Sequence, residues 1–310
     1  AQIGAFLIAH RIRRPEPQEL AGMVDLYREW GPRLVTATPA VCFGMPFDGR
    51  SRTAPIYPLT ALILAAAGVP VVLTGADRMP VKYGVTPREL FARLGLDLGG
   101  LSLAQVQSGL DLHGLALFHQ PDHFPLAGSL IPYREELGKR PPIASLELLW
   151  TPHQGPHLLV SGFVHPPTEA RAWETLRLLA ETDPVTVKGL EGSTDLPRSR
   201  ACVTARVQGE RHLRTILHPR DHGCYGPDLL WQGEESWERQ AREALEGSGE
   251  LFGAAIWNAG SYLWFAAREP DLETGIARAR RLLQEGAAGD LLDRLILWRR
   301  SLAGTTAAHP

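Results

Sequence analysis

Apolar residues recur along this chain with two different periods, and the change of period divides it. Near the start, Ile3, Phe6, Leu7 and His10 mark a helical face that ends by Arg13-Arg14-Pro15. Pro17 is a good first-turn residue, and Leu20, Met23, Val24 and Tyr27 follow it at i, i+3, i+4 and i+7. Gly31-Pro32 stops this second helix, so residues 1–31 read as an αα-hairpin. From Leu34 onward, short continuous apolar runs replace the stripe. Residues 34–35, 40–43, 69–73, 115–118, 157–163 and 185–188 read as strands, with helices over 59–67, 87–94, 132–138 and 168–179. Continuous rather than alternating apolar strands, separated by helices, are the pattern of a parallel sheet covered on both faces. A β-rich stretch over 200–217 precedes helices at 236–246, 251–267, 272–285 and about 290–300. The predicted class is α/β, with a mainly parallel central sheet and a smaller helical piece. Ala1 enters the first helical stripe with no cap and no initiator Met, so we expect chain upstream of it.

Composition narrows this picture without redirecting it. The chain has 310 residues, of which 44% are hydrophobic and 21% charged, enough for one large core with a satellite. A net charge of -2 gives no global field toward nucleic acid or anionic membrane, although a local basic groove is compatible with it. Cys42, Cys202 and Cys224 are odd in number and far apart, which argues against a disulfide framework and for the reducing cytoplasm. The longest apolar run, 59–73, is broken by Gly68 and Pro70 and reads as a buried helix feeding a strand, not as a membrane span.

In open parallel sheets ligands bind beyond the carboxyl ends of the strands. That rule selects the loops 44–53, 74–84, 119–124 and 189–197. The first reads Gly44-Met45-Pro46-Phe47-Asp48-Gly49-Arg50-Ser51-Arg52-Thr53. Pro46 lacks an N–H and Phe47 is bulky, so its first half is a poor phosphate cradle; Arg50 and Arg52 offer side-chain contacts instead, or the loop is simply solvated. Asp77, Arg78 and Lys82 in the second loop suit an anionic ligand or an exposed surface equally. His119, Asp122 and His123, like His218, His222 and Cys224 further on, fit no standard zinc spacing. Glu191 and Asp195 follow a strand, and are open to a Mg²⁺ role with ligand phosphates or to turn formation. No nucleophile elbow, Walker loop or dinucleotide fingerprint is present.

An ordered set of segments resembles the anthranilate phosphoribosyltransferase family, within the glycosyltransferase family 3 and nucleoside phosphorylase superfamily. It comprises Gly4-Ala5-Phe6-Leu7-Ile8-Ala9-His10-Arg11-Ile12, Pro132-Tyr133-Arg134-Glu135-Glu136-Leu137-Gly138, Gly189-Leu190-Glu191-Gly192 and Trp257-Asn258-Ala259-Gly260. The resemblance implies a small helical domain, 1–32 with about 122–147, beside a large α/β domain, 33–121 and 148–310, and a homodimer through the former. It implies joining of phosphoribosyl diphosphate to an aromatic acceptor with Mg²⁺. The family's Gly-Thr-Gly-Gly-Asp loop falls on residues 44–48, where only Gly44 and Asp48 match. Thr53, Gly75 and Lys82 match further phosphate and ribose positions, and His123 and Arg134 the acceptor positions. The family's acidic metal pair becomes Thr194-Asp195, with Glu191 as a substitute carboxylate. The Phe47-Asp48-Gly49-Arg50 pattern is similar to a second, divergent branch of the family, in which some members bind nucleic acid.

Two functions are expected from this reading. One is a phosphoribosyl- or pentosyltransferase-type site for a small phosphorylated ligand, with altered or lost anthranilate activity. It would use Gly44, Asp48, Arg50, Arg52, Thr53, Gly75 and Lys82 for phosphate and ribose, and Glu191 and Asp195 for metal. The alternative is a sequence-independent nucleic-acid-binding protein using Arg11, Arg13, Arg14, Arg50, Arg52 and Arg78.

Overall fold

The computed structural model describes residues 1–209 and 211–305. Helices α1 (Gln2–Arg13) and α2 (Pro17–Trp30) form the predicted hairpin, and α2 opens on a capping box in which Glu16 and Glu19 satisfy each other's backbone N–H groups. The chain then runs β1 (Leu34–Val35), β2 (Ala40–Gly44), α3 (Tyr57–Ala66), β3 (Val71–Gly75), α4 (Pro87–Arg93), α5 (Leu103–His113) and β4 (Leu115–His119). Four short helices follow: α6 (Gln120–His123), α7 (Pro125–Gly128), α8 (Ile131–Leu137) and α9 (Ile143–Leu146). They lead through β5 (His153–Gln154) to β6 (His157–Gly162), α10 (Pro166–Leu178), β7 (Val185–Val187), β8 (Cys202–Gln208) and β9 (Arg211–Leu217). Helices α11 (Glu234–Leu245), α12 (Phe252–Phe265), α13 (Leu272–Gln284) and α14 (Ala287–Thr305) close the chain.

The main sheet has the order β4-β3-β2-β6-β7-β8-β9, parallel from β4 to β7 and antiparallel beyond. Strands β2, β3 and β4 are buried at every residue, which explains their unbroken apolar runs. Helix α3 is buried from Tyr57 to Ala65 and packs against α12, α13 and α14, so it is apolar on all sides. Strand β3 starts at Val71, two residues later than its apolar run. Pro70 has no N–H to give a ladder, and the Val69 N–H turns back to the Leu64 carbonyl at the end of α3. Helix α5 was absent from the periodic pattern, although Ser102 and Gln105 form a capping box and Gly114 closes it in the left-handed conformation. The three cysteines are buried and unpaired, and no helix among the described residues is long and apolar enough to cross a membrane.

The topology positions the site. From β2 the chain winds outward through β3 to β4, then returns across the sheet to enter β6 on the other side of β2. Neighbouring loops therefore leave β2 and β6 in opposite directions, which opens a crevice at their carboxyl ends. The helices from the first hairpin and from the β4–β5 excursion contact each other, α1 against α8 and α2 against α9, and α2 also packs on α10.

Helices α12 and α13 cross in close contact at two glycines. A Cβ on Gly260 would lie 2.6 Å from Ile276 Cα, and one on Gly275 would lie 2.3 Å from the Gly260 carbonyl oxygen. Gly260→Ala is therefore expected to lower stability by about 1–3 kcal/mol through forced separation of the helices. Urea unfolding checks this; an unchanged midpoint would show that the crossing tolerates the extra methyl.

Candidate active-site cleft

A cleft of about 610 Å³ lies at the β2–β6 crevice. The loop after β2 supplies Pro46 and Asp48, the turn after β6 supplies Phe163, Val164 and His165, and the loop after β7 supplies Glu191 and Gly192. Arg11 of α1, Arg14 of the α1–α2 turn, Arg171 of α10, and Arg140 and Glu147 complete its lining.

The loop after β2 does not form a glycine cradle. Met45 is buried and its sulfur receives the Thr194 hydroxyl at 3.9 Å. Phe47 is buried with Ala76 and Met79, packed against Ile131. Its N–H donates to Glu147 Oε2 at 3.1 Å. The loop then crosses the 79–85 segment: Arg50 and Val85 exchange backbone hydrogen bonds of 3.2 and 2.8 Å, and Gly84 N–H donates to the Asp48 carbonyl at 3.0 Å. Only glycines fit this crossing. A Cβ on Gly84 would lie 2.4 Å from Arg50 N, and Gly49, at φ 76°, faces Gly84 at 2.5 Å.

The crossing carries the Arg50 side chain inward, where only 1% of it is exposed. Its Nε donates to Glu191 Oε1 at 3.1 Å, and its Nη1 donates to Ser193 Oγ at 2.7 Å and Asp195 Oδ2 at 2.6 Å. Nη2 reaches the Thr53 hydroxyl. The backbone adds to the same carboxylates. The N–H groups of Arg52 and Thr53 donate to Glu191 Oε1 at 3.0 and 2.9 Å, Ser51 N–H to Oε2 at 3.3 Å, and Ile56 N–H to Asp195 Oδ2 at 2.8 Å. Lys82 lies 3.6 Å from Glu191 Oε2, and burial lowers its pKa. Burial also works to raise the pKa of Glu191, but Arg50, the Thr53 N–H and Lys82 outweigh it and hold the carboxyl down at about 2. Complete burial pushes Asp195 the other way, upward, against the pull of Arg50.

The residues expected from the sequence therefore divide. Asp48 lines the cleft; Arg140 clasps its Oδ2 at 2.7 and 2.5 Å, and its Oδ1 has no hydrogen-bond partner. Arg50, Thr53, Glu191 and Asp195 come together, but on one another. Arg52 gives its N–H to Glu191 and is exposed to solvent. Gly44 and Gly75 serve packing: a Cβ on Gly44 would lie 2.2 Å from the Leu148 carbonyl oxygen, and one on Gly75 would lie 3.1 Å from the Pro87 ring. Arg134 is buried, with Nη1 on Glu147 Oε1 at 2.5 Å and Nε on the Pro80 carbonyl at 2.7 Å. His123 accepts the His119 N–H through Nδ1 at 2.9 Å, so its Nε2 carries the proton that meets the Leu101 carbonyl at 2.8 Å. Arg13 and Arg78 are paired with Glu19 and with Glu89 and Glu234. With Arg50 also paired, three of the six arginines of the nucleic-acid alternative are neutralised internally.

Arg140, Glu147, His165 and Arg171 were missed in the sequence. The rule of strand ends should have found His165, which follows β6; the others come from helices and connections distant in sequence.

Magnesium was expected at Glu191 and Asp195. The pair does not suit it, because the oxygens facing each other are already spanned by Arg50. Among the described residues no group of three or more His, Cys, Asp or Glu side chains is arranged to hold a metal ion.

No protein-family model matches the chain. It is 27% identical over 310 residues to an anthranilate phosphoribosyltransferase of Chromobacterium violaceum, covering 98% of this chain and 90% of that protein. Its fold matches the anthranilate phosphoribosyltransferase (TrpD) of Thermus thermophilus at a TM-score of 0.79 and 26% identity, over 96% of this chain and 89% of the other. The Saccharomyces cerevisiae anthranilate phosphoribosyltransferase in complex with PRPP and Mg matches at a TM-score of 0.80 over 96% of this chain and 85% of that one; at 15% identity the likeness is one of fold.

The depressed Glu191 gives this network a pH signature. Because its folded pKa of about 2 lies below the ordinary 4.5, its stabilisation is complete above pH 4.5 and is lost as pH falls toward 2. Asp195, raised, opposes that loss. Glu191→Gln is expected to flatten the acid limb of a stability-versus-pH curve between those values. An unchanged slope would show that Glu191 is not held down.

Proposed function

This chain belongs to the anthranilate phosphoribosyltransferase family, and on that premise we propose that its cleft is a phosphoribosyltransferase-type site with altered acceptor use. The observation that carries the reading is the distribution of charge around the 610 Å³ cleft. Arg11, Arg14 and Arg171 line it, and none has a side-chain hydrogen bond or ion pair among the described residues. In the same cleft Asp48, held through Oδ2 by Arg140, keeps its other carboxylate oxygen without a donor. Three uncommitted guanidinium groups facing a carboxylate suit a ligand with an anionic end and a hydroxyl-bearing middle, as a phosphorylated pentose has. The free cations come from the 1–32 segment and α10 rather than from the loop after β2. We therefore assign the phosphates to that wall.

In a transfer of this kind the bond from the ribosyl carbon to diphosphate breaks, leaving an oxocarbenium-like carbon and a more negative leaving group. Asp48 accepts a ribose hydroxyl and stabilises the positive carbon, while the three arginines stabilise the departing diphosphate. Arg134 and His123, the acceptor residues implied by the family, are drawn onto Glu147, Pro80, His119 and Leu101, with only the buried Arg134 Nη2 left without a partner. That supports an acceptor other than anthranilate. We assign residues 1–32 and 122–147 to a small helical domain and 33–121 with 148–209 and 211–305 to a large α/β domain, the cleft being lined from both. We further assign the apolar groove lined by Ile3, Phe6, Met23, Leu26 and Leu130 to a homodimer contact.

Calorimetry with phosphoribosyl diphosphate tests the reading. Saturable binding is expected, and Arg171→Ala is expected to weaken it roughly tenfold, in line with loss of one charge-assisted hydrogen bond of about 1.5–3 kcal/mol. Absence of heat at millimolar ligand would rule the reading out.

A further inference from the structure

The loop after β2 has turned its polar groups onto the protein's own carboxylates. Arg50 spans Glu191 and Asp195 with two different nitrogens, at 3.1 and 2.6 Å. The backbone N–H groups of residues 52, 53 and 56 close over the same oxygens, and that of Ser51 over Glu191 Oε2. Ser193 and Thr53 take up further guanidinium hydrogens. A divalent cation of the magnesium type requires close oxygens in octahedral array and keeps several of its waters. Asp195 is only 1% exposed and Glu191 only 7%, and the oxygens of the pair that Arg50 joins, Glu191 Oε1 and Asp195 Oδ2, are already taken by its guanidinium and by backbone N–H groups, so no hydrated ion fits between them. A guanidinium, by contrast, is planar, permanently charged and weakly hydrated, and it fits between two carboxylates.

We propose that Arg50 is the resident cation of this cleft: a positioning residue that takes the place of an exchangeable divalent metal at Glu191 and Asp195. Phosphorylated ligands then bind without a metal ion at that pair. The guanidinium fixes the loop between residues 46 and 56 and holds the wall of the cleft that carries Asp48, while contributing no direct contact to phosphate. The metal-independence rests on the proposed function; the occupancy of the carboxylate pair does not.

Manganese serves as a spectroscopic probe of the pair on the full chain. By electron paramagnetic resonance, the wild-type protein is expected to take up no Mn²⁺ in the submillimolar range. Arg50→Gln frees both carboxylates and is expected to gain one Mn²⁺ site, which the double variant Arg50→Gln/Glu191→Gln loses again. A merely structural role for Arg50 would not create that site. Wild-type protein that binds one Mn²⁺ at micromolar concentrations, and loses it in Glu191→Gln, would overturn the proposal; this arm needs no variant lacking Arg50, so it stands even if Arg50→Gln does not fold. In the second arm, phosphoribosyl diphosphate is expected to bind equally, within twofold, in EDTA and in Mg²⁺. Weakening of tenfold or more in EDTA overturns metal-independence and leaves the proposed function intact. Binding in neither medium removes the proposed function, while the manganese arm still decides what occupies the pair.

Discussion

A guanidinium buried between two carboxylates constrains everything around it. Arg50 has little contact with water, so its charge must be met within the protein, and Glu191, Asp195, Ser193 and Thr53 meet it. Removing one member of such a set leaves an uncompensated buried charge, a loss of about 3–5 kcal/mol in comparable cases. That requirement fixes the path of the loop after β2 and brings it against the loop after β7. It also accounts for two glycines: Gly49 and Gly84 allow the backbone crossing that delivers the side chain inward. The loop has exchanged an open surface of N–H groups for a closed internal network.

The cleft depends on that closure and on the sheet order. Strands β2 and β6 are neighbours although seven helices and the strands β3, β4 and β5 separate them in sequence, and their loops diverge at the carboxyl edge. With Arg50, Glu191 and Asp195 satisfied among themselves, the cleft-lining guanidinium groups without a side-chain partner among the described residues are those of α1, the following turn and α10, while Asp48 keeps one oxygen beyond its pairing with Arg140. Negative charge is then best received on the helical side, opposite the strand ends. The strand ends supply shape and a carboxylate.

Much of the fold was legible because burial on both sheet faces writes itself as apolar runs. Residues 40–43, 115–118 and 185–187 lie in strands for that reason, and the α1–α2 hairpin followed from its stripe and from Pro17. The start of β3 was misplaced because Val69 and Pro70 are apolar yet cannot both join a ladder. Helix α5 was overlooked because its capping residues mark it more clearly than its apolar positions do. The four strand-end loops were found from the same topological rule, and so were the residues they carry. What those residues touch was not legible. An arginine on a glycine-containing loop reads the same whether it faces a phosphate or an internal carboxylate. The choice is made by residue pairs separated by more than a hundred positions, such as Arg50 with Glu191 and Asp195. Likewise Arg11, Arg14 and Arg171 stand out only once the structure shows which charges around the cleft are paired with one another.

The central claim is that the phosphate wall and the carboxylate pair are separate places, and that Arg50 belongs to the second. A crystal structure of the protein soaked with phosphoribosyl diphosphate in the presence of Mn²⁺ tests it most directly, because anomalous scattering locates the metal and the phosphates are seen in place. The account requires the phosphates beside Arg11, Arg14 and Arg171, with the Arg50 guanidinium still on Glu191 and Asp195. A metal ion seated on Glu191 and Asp195, or Arg50 turned outward onto a phosphate, would contradict it.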